Sequence, residues 1–221
     1  MEDSILQPRV EKHIDVLINR YPQLASVRRD IIDAYLIMEE CYEHDGKLLI
    51  AGNGGSAAES EHIAGEQMKR FGAPRPISED FGKKIVESDP VRGADLAKNL
   101  ERSLMAIPLV VHEAMTTAYI NDVDGYGVFA QRLYGFGRPG DVFLGISTSG
   151  NSKNVLSATV VARVLGIKVV GLTGKDGGEL ARVADVAVIV PESRTYMIQE
   201  LHLPIYHCWC LMLEEKFFGG K

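Results

Sequence analysis

The spacing of hydrophobic positions changes near residue 47. From Ser26 to Gly46, apolar residues recur every three or four positions, which predicts an amphipathic helix with Ser26 as its cap and Gly46 as its stop. A shorter helix is predicted around residues 10–18, ending near Pro22. The first 45 residues are therefore predicted to form a helical hairpin.

Beyond this hairpin, the apolar residues gather in short continuous runs, each followed by a turn and a helical stretch. The runs do not alternate between apolar and polar residues, as expected for strands that are buried on both faces. Five strands that alternate with helices predict an α/β fold with a parallel sheet covered on both sides. The predicted strands are 47–52, 106–111, 141–146, 168–173 and 186–190, and a long helix is predicted over 195–217.

Residues 72–107 interrupt this repeat with prolines, glycines and charged residues. We interpret this segment as an insertion that is partly helical near residues 94–104. A chain of 221 residues with 46% hydrophobic residues can bury one full core. We therefore expect a single domain over residues 1–221, with the insertion inside it.

Composition and charge exclude several classes of protein. The net charge is −6 and the basic residues are scattered, so no basic surface for nucleic acid is predicted. No stretch approaches the roughly 20 apolar residues of a membrane span, and the start lacks the pattern of a signal peptide. We expect a cytoplasmic protein without a membrane partner. Cys41, Cys208 and Cys210 form no CxxC pair, so reduced and mostly buried thiols are expected.

A glycine-rich turn follows the first predicted strand. Its residues Asn53, Gly54, Gly55 and Ser56 lead into a helix. Glycine allows close approach of the backbone, and the free N–H groups at a helix start favour an anion. The turn is not a GxGxxG fingerprint and the chain has no GxxxxGK[ST] motif, which argues against a dinucleotide or a nucleoside triphosphate.

A second turn follows the strand at 141–146 and precedes a predicted helix at 153–165. It offers four hydroxyls, from Ser147, Thr148, Ser149 and Ser152. Because no lysine or arginine lies inside this group, a monophosphate fits it better than a metal-bridged triphosphate. Small polar residues also make good turns and N-caps, but two such turns at corresponding sheet positions favour phosphate. The glycine-rich turn at 171–180 has no hydroxyl cluster and is interpreted as a connection.

Histidines and carboxylates supply candidates for proton transfer. His62 and Glu66 lie four residues apart on one helical face, either as a base beside the ligand or as a surface pair. On the last helix, Gln199 and His207 are offset by about 80° and about 12 Å, so their spacing alone is weak support for a shared metal. Histidines in an otherwise apolar helix, such as His207 in LPIYHCWCLML, are more often buried core residues than ligands.

Taken together, the motifs resemble those of a known family. AGNGGS at 51–56 is followed in order by His62 and Glu66, Asn121 and Asp122, GISTSGNS at 145–152, LTGKDGG at 172–178, and IQELH at 198–202 with His207. This combination resembles bacterial phosphoheptose isomerases, which belong to the sugar isomerase (SIS) domain family. The resemblance implies a three-layer, flavodoxin-like fold with a five-stranded parallel sheet, assembled as a homotetramer with active sites between subunits.

The resemblance also implies a reaction and a set of site residues. It implies conversion of sedoheptulose 7-phosphate to D-glycero-D-manno-heptose 7-phosphate through an enediolate, with Glu66 as base and His207 as acid. It implies a zinc ion bound by His62, Glu66, Gln199 and His207. The implied substrate-binding residues are Asn53, Gly54, Gly55, Ser56, Arg70, Asn121, Asp122, Ser147, Thr148, Ser149, Ser152 and Gln199.

Two departures from the family keep alternatives open. The insertion at 72–107 is longer than the corresponding link in the family, and Tyr196 and Met197 stand where the family often has an acidic residue and an arginine. The alternatives are an isomerase of another phosphosugar and a noncatalytic SIS regulator. The latter would sense a sugar phosphate or act through protein contacts, like the replication-initiator-associating protein.

Overall fold

A computed structural model describes residues 6–219, which contain a five-stranded sheet. The strands are β1 (Leu48–Ala51), β2 (Ala106–Pro108), β3 (Val142–Ser147), β4 (Lys168–Thr173) and β5 (Val186–Ile189). Their order is β2-β1-β3-β4-β5 and every neighbouring pair is parallel. This is the strand order of the flavodoxin type, so the predicted parallel sheet and fold class are confirmed.

Helices connect the strands and extend both ends of the sheet. The α-helices are α1 (Pro8–Arg20), α2 (Arg28–Glu43), α3 (Gly55–Met68), α4 (Glu79–Ser88), α5 (Pro90–Asn99), α6 (Glu113–Asp122), α7 (Val128–Phe136), α8 (Lys153–Val164), α9 (Gly178–Val183) and α10 (Thr195–Phe218). Short 3-10 helices at Pro22–Val27 and Gly125–Gly127 precede α2 and α7. Within residues 6–219, no helix has the length and apolar character that crossing a membrane requires.

Two hydrophobic cores lie on opposite faces of the sheet. Leu48 and Ile50 point into a first core, which α1, α2, α3 and α10 complete. Leu49 and Ala51 point into a second core, which α7, α8 and α9 complete. All four residues are buried because alternate side chains of a strand project to opposite faces. The fold therefore has three layers, as the unbroken apolar runs predicted.

The N-terminal helical hairpin is confirmed, but its predicted boundaries are not. Ser26 does not cap α2, since it lies inside the 3-10 helix and its hydroxyl donates to the Gln23 carbonyl. The second helix starts at Arg28 and ends at Glu43, three residues before Gly46. The backbone N–H of Gly46 instead donates to the Cys41 carbonyl and closes the turn after the helix.

The insertion is more helical than the sequence analysis predicted. It forms the hairpin of α4 and α5, and α5 confirms the helix predicted near 94–104 over residues 94–99, although it starts at Pro90 and ends at Asn99. Ser78 caps α4 by accepting the N–H of Phe81, and Asp89 caps α5 with Pro90 at its first position. These caps start two short helices where the sequence analysis expected one.

Strand β2 is shorter than predicted. It spans Ala106–Pro108 instead of 106–111, and it lies at the edge of the sheet. Pro108 has no N–H to donate to a ladder, which suits an edge position. The N–H of Leu109 still donates to the Ile50 carbonyl at 2.7 Å, and the chain then turns towards α6.

The last helix, α10, confirms the prediction of a long C-terminal helix. It runs for 24 residues and continues through Pro204. The three cysteines are buried and free, as expected. Burial raises the pKa of the Cys41 and Cys210 thiols to about 12, so both thiols stay protonated and unreactive at neutral pH.

Candidate active site

The two candidate phosphate turns follow neighbouring strands. The turn at 53–56 follows β1 and the turn at 147–152 follows β3, and these strands pair with Ala51 opposite Gly145. The chain then enters α3 in the first core and α8 in the second core. Where connections of a parallel sheet diverge to opposite faces, a crevice opens beyond the carboxyl ends of the strands. Both turns lie at this crevice.

In the first turn, Gly54 has φ 57° and ψ −119°, a conformation that favours glycine. The N–H of Ser56 donates to the Asn53 carbonyl at 3.0 Å, and the Ser56 side chain is buried. Gly55 lies against Gln199 of α10. A Cβ at residue 55 would stand 2.4 Å from Gln199 Nε2, so a larger residue would require the Gln199 amide to shift.

In the second turn, the serine hydroxyls face one another. Ser147 Oγ and Ser152 Oγ are 2.9 Å apart, and Ser149 Oγ accepts the N–H of Asn151 at 3.2 Å. Gly150 closes the turn with φ 65°, and its N–H donates to the Ser147 carbonyl at 2.9 Å. Of the predicted hydroxyl cluster, the structure thus brings the Ser147 and Ser152 hydroxyls together at the start of α8.

The turn between β4 and α9 supports this cluster, which corrects its interpretation as a simple connection. The N–H of Leu180 donates to the Gly150 carbonyl at 2.9 Å, and the N–H of Glu179 donates to Asn151 Oδ1 at 3.1 Å. Gly150 approaches Gly177 so closely that a Cβ on residue 150 would stand 1.9 Å from the Gly177 carbonyl oxygen. The glycines at 177 and 178 therefore allow the backbone of this turn to approach Gly150 closely.

Two asparagine side chains join the two turns. Asn53 Nδ2 donates to Asn154 Oδ1 at 2.9 Å, and Asn154 Nδ2 donates to Asn53 Oδ1 at 2.8 Å. Asn154 does not stand out in the sequence, because an asparagine in the first turn of a helix is ordinarily explained by local backbone hydrogen bonding. Only the fold shows that it faces a residue 101 positions away.

The candidate proton-transfer residues form a second cluster. His62 Nε2 lies 3.4 Å from Glu66 Oε1, and the rings of His62 and His207 are 5.0 Å apart between centroids. Tyr206 Oη lies 3.0 Å from His62 Nδ1. Lys69 Nζ donates to Glu66 Oε2 at 3.1 Å. The structure therefore brings together the base and the acid that the resemblance implies.

The surroundings of His207 favour its neutral imidazole form. Burial lowers the pKa of His207 below its ordinary value, and the neighbouring His62 acts in the same direction against the opposing effect of Glu66. Its Nε2 atom is buried and has no hydrogen-bond partner among the described residues. A neutral imidazole keeps one N–H donor and one free nitrogen, so it can pass a proton or bind a metal.

The two clusters lie far apart along the helices of one chain. Glu66 follows Ser56 by ten residues on α3, which corresponds to about 15 Å along the axis. Gln199 lies with the first turn at Gly55, whereas His207 lies with His62. Within residues 6–219, no group of three or more His, Cys, Asp or Glu residues is arranged to hold a metal ion.

Three other predicted substrate-binding residues make different contacts. Asn121 and Asp122 are exposed at the end of α6, where Asn121 Nδ2 donates to Asp122 Oδ1 at 2.7 Å. Arg70 lies beyond the end of α3, although the sequence analysis placed it on that helix. Its side chain pairs with Glu101 of the insertion at 3.2 Å.

His202 is a core residue. It is fully buried, with Nδ1 3.5 Å from Glu59 Oε2 and Nε2 3.4 Å from the Thr173 carbonyl oxygen. These contacts tie α3, α10 and the end of β4 together behind the crevice. Glu59 was not among the predicted site residues, although its position three residues before His62 places it on a neighbouring part of the same helix.

Comparisons with known proteins agree on one family. Residues 99–174 match the family model of the SIS domain. A phosphoheptose isomerase of Akkermansia muciniphila is 34% identical over 92% of this chain and 94% of the relative. One from Sulfurimonas denitrificans is 40% identical over 80% of this chain and 78% of the relative.

A solved structure shows the same similarity. Phosphoheptose isomerase GmhA from Neisseria gonorrhoeae superposes with a TM-score of 0.71 and 32% identity. The superposition covers 94% of this chain and 97% of that chain. Sequence and structure thus point to the same relatives over nearly the whole length of the chain.

Proposed function

The chain belongs to the phosphoheptose isomerase family, and we propose that it interconverts sedoheptulose 7-phosphate and D-glycero-D-manno-heptose 7-phosphate. Family membership confirms the resemblance seen in the sequence and makes the chain an isomerase. The observation that carries the proposal is the pairing of a hydroxyl-lined crevice with a Glu66–His62–His207 cluster.

In this proposal, the crevice holds the phosphate. The hydroxyls of Ser147 and Ser152 and the N–H groups at the starts of α3 and α8 supply the donors. Holding the phosphate, which does not react, positions the carbonyl end of the sugar for chemistry. Gly54, Gly55, Ser56, Thr148 and Ser149 complete this part of the proposed site, whereas Asn53 faces the sugar hydroxyls.

The other cluster moves the protons. From the ketose, Glu66 removes a proton from C1, the electrons of that C–H bond form the C1–C2 double bond, and O2 receives a proton. Return of a proton to C2 and loss of the O1 proton then give the aldose. His207, which lies beside His62, exchanges the protons of the two oxygens.

We further propose that zinc binds at this second cluster. Two imidazole nitrogens and a carboxylate oxygen are donors that zinc prefers, and the buried, unpartnered Nε2 of His207 is free to bind. When bound, zinc would polarise the carbonyl and stabilise enediolate charge. His62, Glu66 and His207 would hold it after a rearrangement of their side chains, because residues 6–219 contain no group of three such residues already arranged for a metal. Gln199 lies beside Gly55 in the same chain, so it would join this set only from a neighbouring subunit.

The separation of the two clusters supports a homotetramer with active sites between subunits. The distance of about 15 Å along α3 between Ser56 and Glu66 exceeds the reach of a seven-carbon sugar from its phosphate to C1. A site that combines the crevice of one subunit with the Glu66–His207 cluster of another would remove this mismatch. Asn121, Asp122 and Arg70, which are exposed, are available to such a shared site.

The decisive experiment follows hydrogen exchange. Purified protein is incubated with sedoheptulose 7-phosphate in deuterated water, with and without added zinc, and deuterium at C1 and C2 is followed by NMR. We expect deuterium incorporation together with aldose formation. The absence of both exchange and product would contradict sedoheptulose 7-phosphate as the substrate and would favour an isomerase of another phosphosugar.

Two variants test the proton-transfer roles. Glu66→Gln and His207→Ala should abolish turnover while inorganic phosphate still binds, because the crevice lies elsewhere. Bound zinc, measured by mass spectrometry after dialysis, should fall in His207→Ala. Turnover that survives in both variants would refute the roles assigned to them.

Mixed oligomers test the shared site. Subunits carrying His207→Ala are mixed with subunits carrying Ser147→Ala and Ser152→Ala, each inactive alone. Activity should return in the mixture, because some sites then combine an intact crevice with an intact His207. If both halves come from one chain, mixing restores nothing.

The relatives reported above are all named isomerases, which favours a catalytic protein over a noncatalytic SIS regulator. The proposal includes a small phosphorylated sugar as the ligand and a cytoplasmic setting. Binding of a sugar phosphate without exchange in deuterated water would favour the regulator instead.

A further inference from the structure

The asparagine pair between the two turns has a defined orientation. Asn154 Oδ1 accepts the backbone N–H of Val155 at 3.0 Å in addition to the amide of Asn53. A backbone N–H can only donate, so this contact distinguishes the oxygen from the nitrogen of the Asn154 amide. Val155 is fully buried in the second core, which fixes the donor in place.

The orientation of the Asn154 amide determines the orientation of the Asn53 amide. Because Asn154 presents both Oδ1 and Nδ2 to Asn53, the Asn53 amide must face it with Nδ2 and Oδ1 in the opposite order. Each amide group still has one N–H and one lone pair unused by the pair. Asn53 is exposed at the crevice, so these remaining groups are available to a ligand.

We propose that Asn154 is a positioning residue for the phosphosugar. It orients the Asn53 amide towards sugar hydroxyls through the two amide hydrogen bonds between them. This inference rests on the proposed function, because it takes the ligand to be a sugar phosphate. It assigns Asn154 to the sugar portion and leaves the phosphate to the serine hydroxyls.

The experiment compares two ligands on the same variants. The steady-state constants kcat and KM are measured with sedoheptulose 7-phosphate, and the affinity for inorganic phosphate is measured by calorimetry. Asn154→Ala should raise KM about 10-fold, since two hydrogen bonds that orient Asn53 are lost. The affinity of Asn154→Ala for inorganic phosphate should stay within about 2-fold of the wild-type value. The KM of Asn154→Asp should lie between those of the wild type and Asn154→Ala, because the carboxylate still accepts from Val155 but cannot donate to Asn53.

A double variant separates positioning from general stabilisation. If Asn154 acts through Asn53, then Asn53→Ala combined with Asn154→Ala should be no worse than Asn53→Ala alone, within about 2-fold. The matched control is Ser157→Ala on the same helix, whose hydroxyl bonds only to the Lys153 carbonyl and which should leave both constants unchanged. Additive losses, or equal losses for both ligands, would overturn the inference.

The inference can fail separately from the proposed function. If the wild-type protein does not turn over sedoheptulose 7-phosphate, calorimetric binding of that sugar phosphate replaces KM in the same comparison. Loss of sugar-phosphate affinity in Asn154→Ala with retained phosphate affinity would still support the positioning role. If the wild type turned over sedoheptulose 7-phosphate and Asn154→Ala had an unchanged KM, the positioning role of Asn154 would be rejected while the proposed function would stand.

Discussion

Gly150 is the residue on which the shape of the phosphate crevice depends most directly. It has φ 65°, and a Cβ there would stand 1.9 Å from the Gly177 carbonyl oxygen. Gly150→Ala should lower the free energy of unfolding by about 1–3 kcal/mol, because it adds both backbone strain and a collision. It should also weaken binding of inorganic phosphate, which calorimetry measures alongside thermal unfolding.

Gly135 provides the control for this substitution. It lies in α7 with open space where a Cβ would stand, so Gly135→Ala should stabilise the protein by about 0.5–1 kcal/mol. Phosphate binding should not change. Equal phosphate affinity in the wild type and in Gly150→Ala would show that the crevice does not depend on this contact.

At the residue scale, local chemistry was predictable and long-range pairing was not. The hydroxyls of Ser147 and Ser152 stand out by their density in the sequence, and the structure places them 2.9 Å apart. The contacts of Asn154 with Asn53 and of Glu59 with His202 join positions more than 100 residues apart. No spacing rule within one element relates such residues, so only the fold reveals them.

At the scale of elements, the insertion is a nearly independent hairpin. Neither α4 nor α5 contributes a side chain to either core, and Phe81 and Val91 are 51% and 82% exposed. The ends of the insertion meet, since Pro76 and Glu101 form an antiparallel bridge. Replacing residues 77–100 by Asn-Gly should therefore close a tight hairpin at this neck.

We expect this deletion to change the free energy of unfolding by less than about 1 kcal/mol, because a shorter connection costs little entropy and no core is lost. Urea unfolding measures it. Leu104→Ala, a core residue just past the neck, is the comparison and should cost about 2–5 kcal/mol. A deletion that unfolds the chain would show that the hairpin is part of the core structure.

The accuracy of the predicted elements depended on burial. The strands were predictable because burial on both faces leaves unbroken apolar runs, as in β3, where all six residues are buried. The helices α4 and α5 contain no buried residue apart from Gly93, so they lack the unbroken apolar runs that burial leaves in the strands. Their caps, Ser78 and Asp89-Pro90, were the available signal.

At the scale of the whole molecule, sequence order did not predict which site residues share a cluster. Gln199 and His207 lie on one helix, but about 12 Å of axis separates them. The structure accordingly places Gln199 beside Gly55 and His207 beside His62. A sequence motif shows which residues the members of a family share, whereas folding and subunit assembly determine which of those residues surround one ligand.

A buried ion pair joins three parts of the molecule. Arg75, at the start of the insertion, donates to Glu214 of α10 at 2.7 Å and to the carbonyl of Gln67 in α3 at 2.8 Å. Both charged side chains are almost fully buried, at 0% and 3% exposure. Glu214→Gln should lower the free energy of unfolding by about 3–5 kcal/mol, because Arg75 is left as an unpaired buried charge.

The effect of Glu214→Gln should depend on pH. Burial raises the pKa of Glu214, but the N–H groups of Phe71 and Gly72 and the Arg75 guanidinium outweigh it, so the pKa lies below its ordinary 4.5. The stabilisation is therefore complete above pH 4.5 and is lost as pH falls through the folded-state pKa. Urea unfolding at neutral and acidic pH should show the gap between wild type and Glu214→Gln narrowing below this value. The control is Glu215→Gln, which affects the more exposed pairs with Lys12 and His13 and should lower the free energy of unfolding by about 0–1 kcal/mol. If the difference in unfolding free energy between wild type and Glu214→Gln stayed constant with pH, it would contradict an ionised Arg75–Glu214 pair.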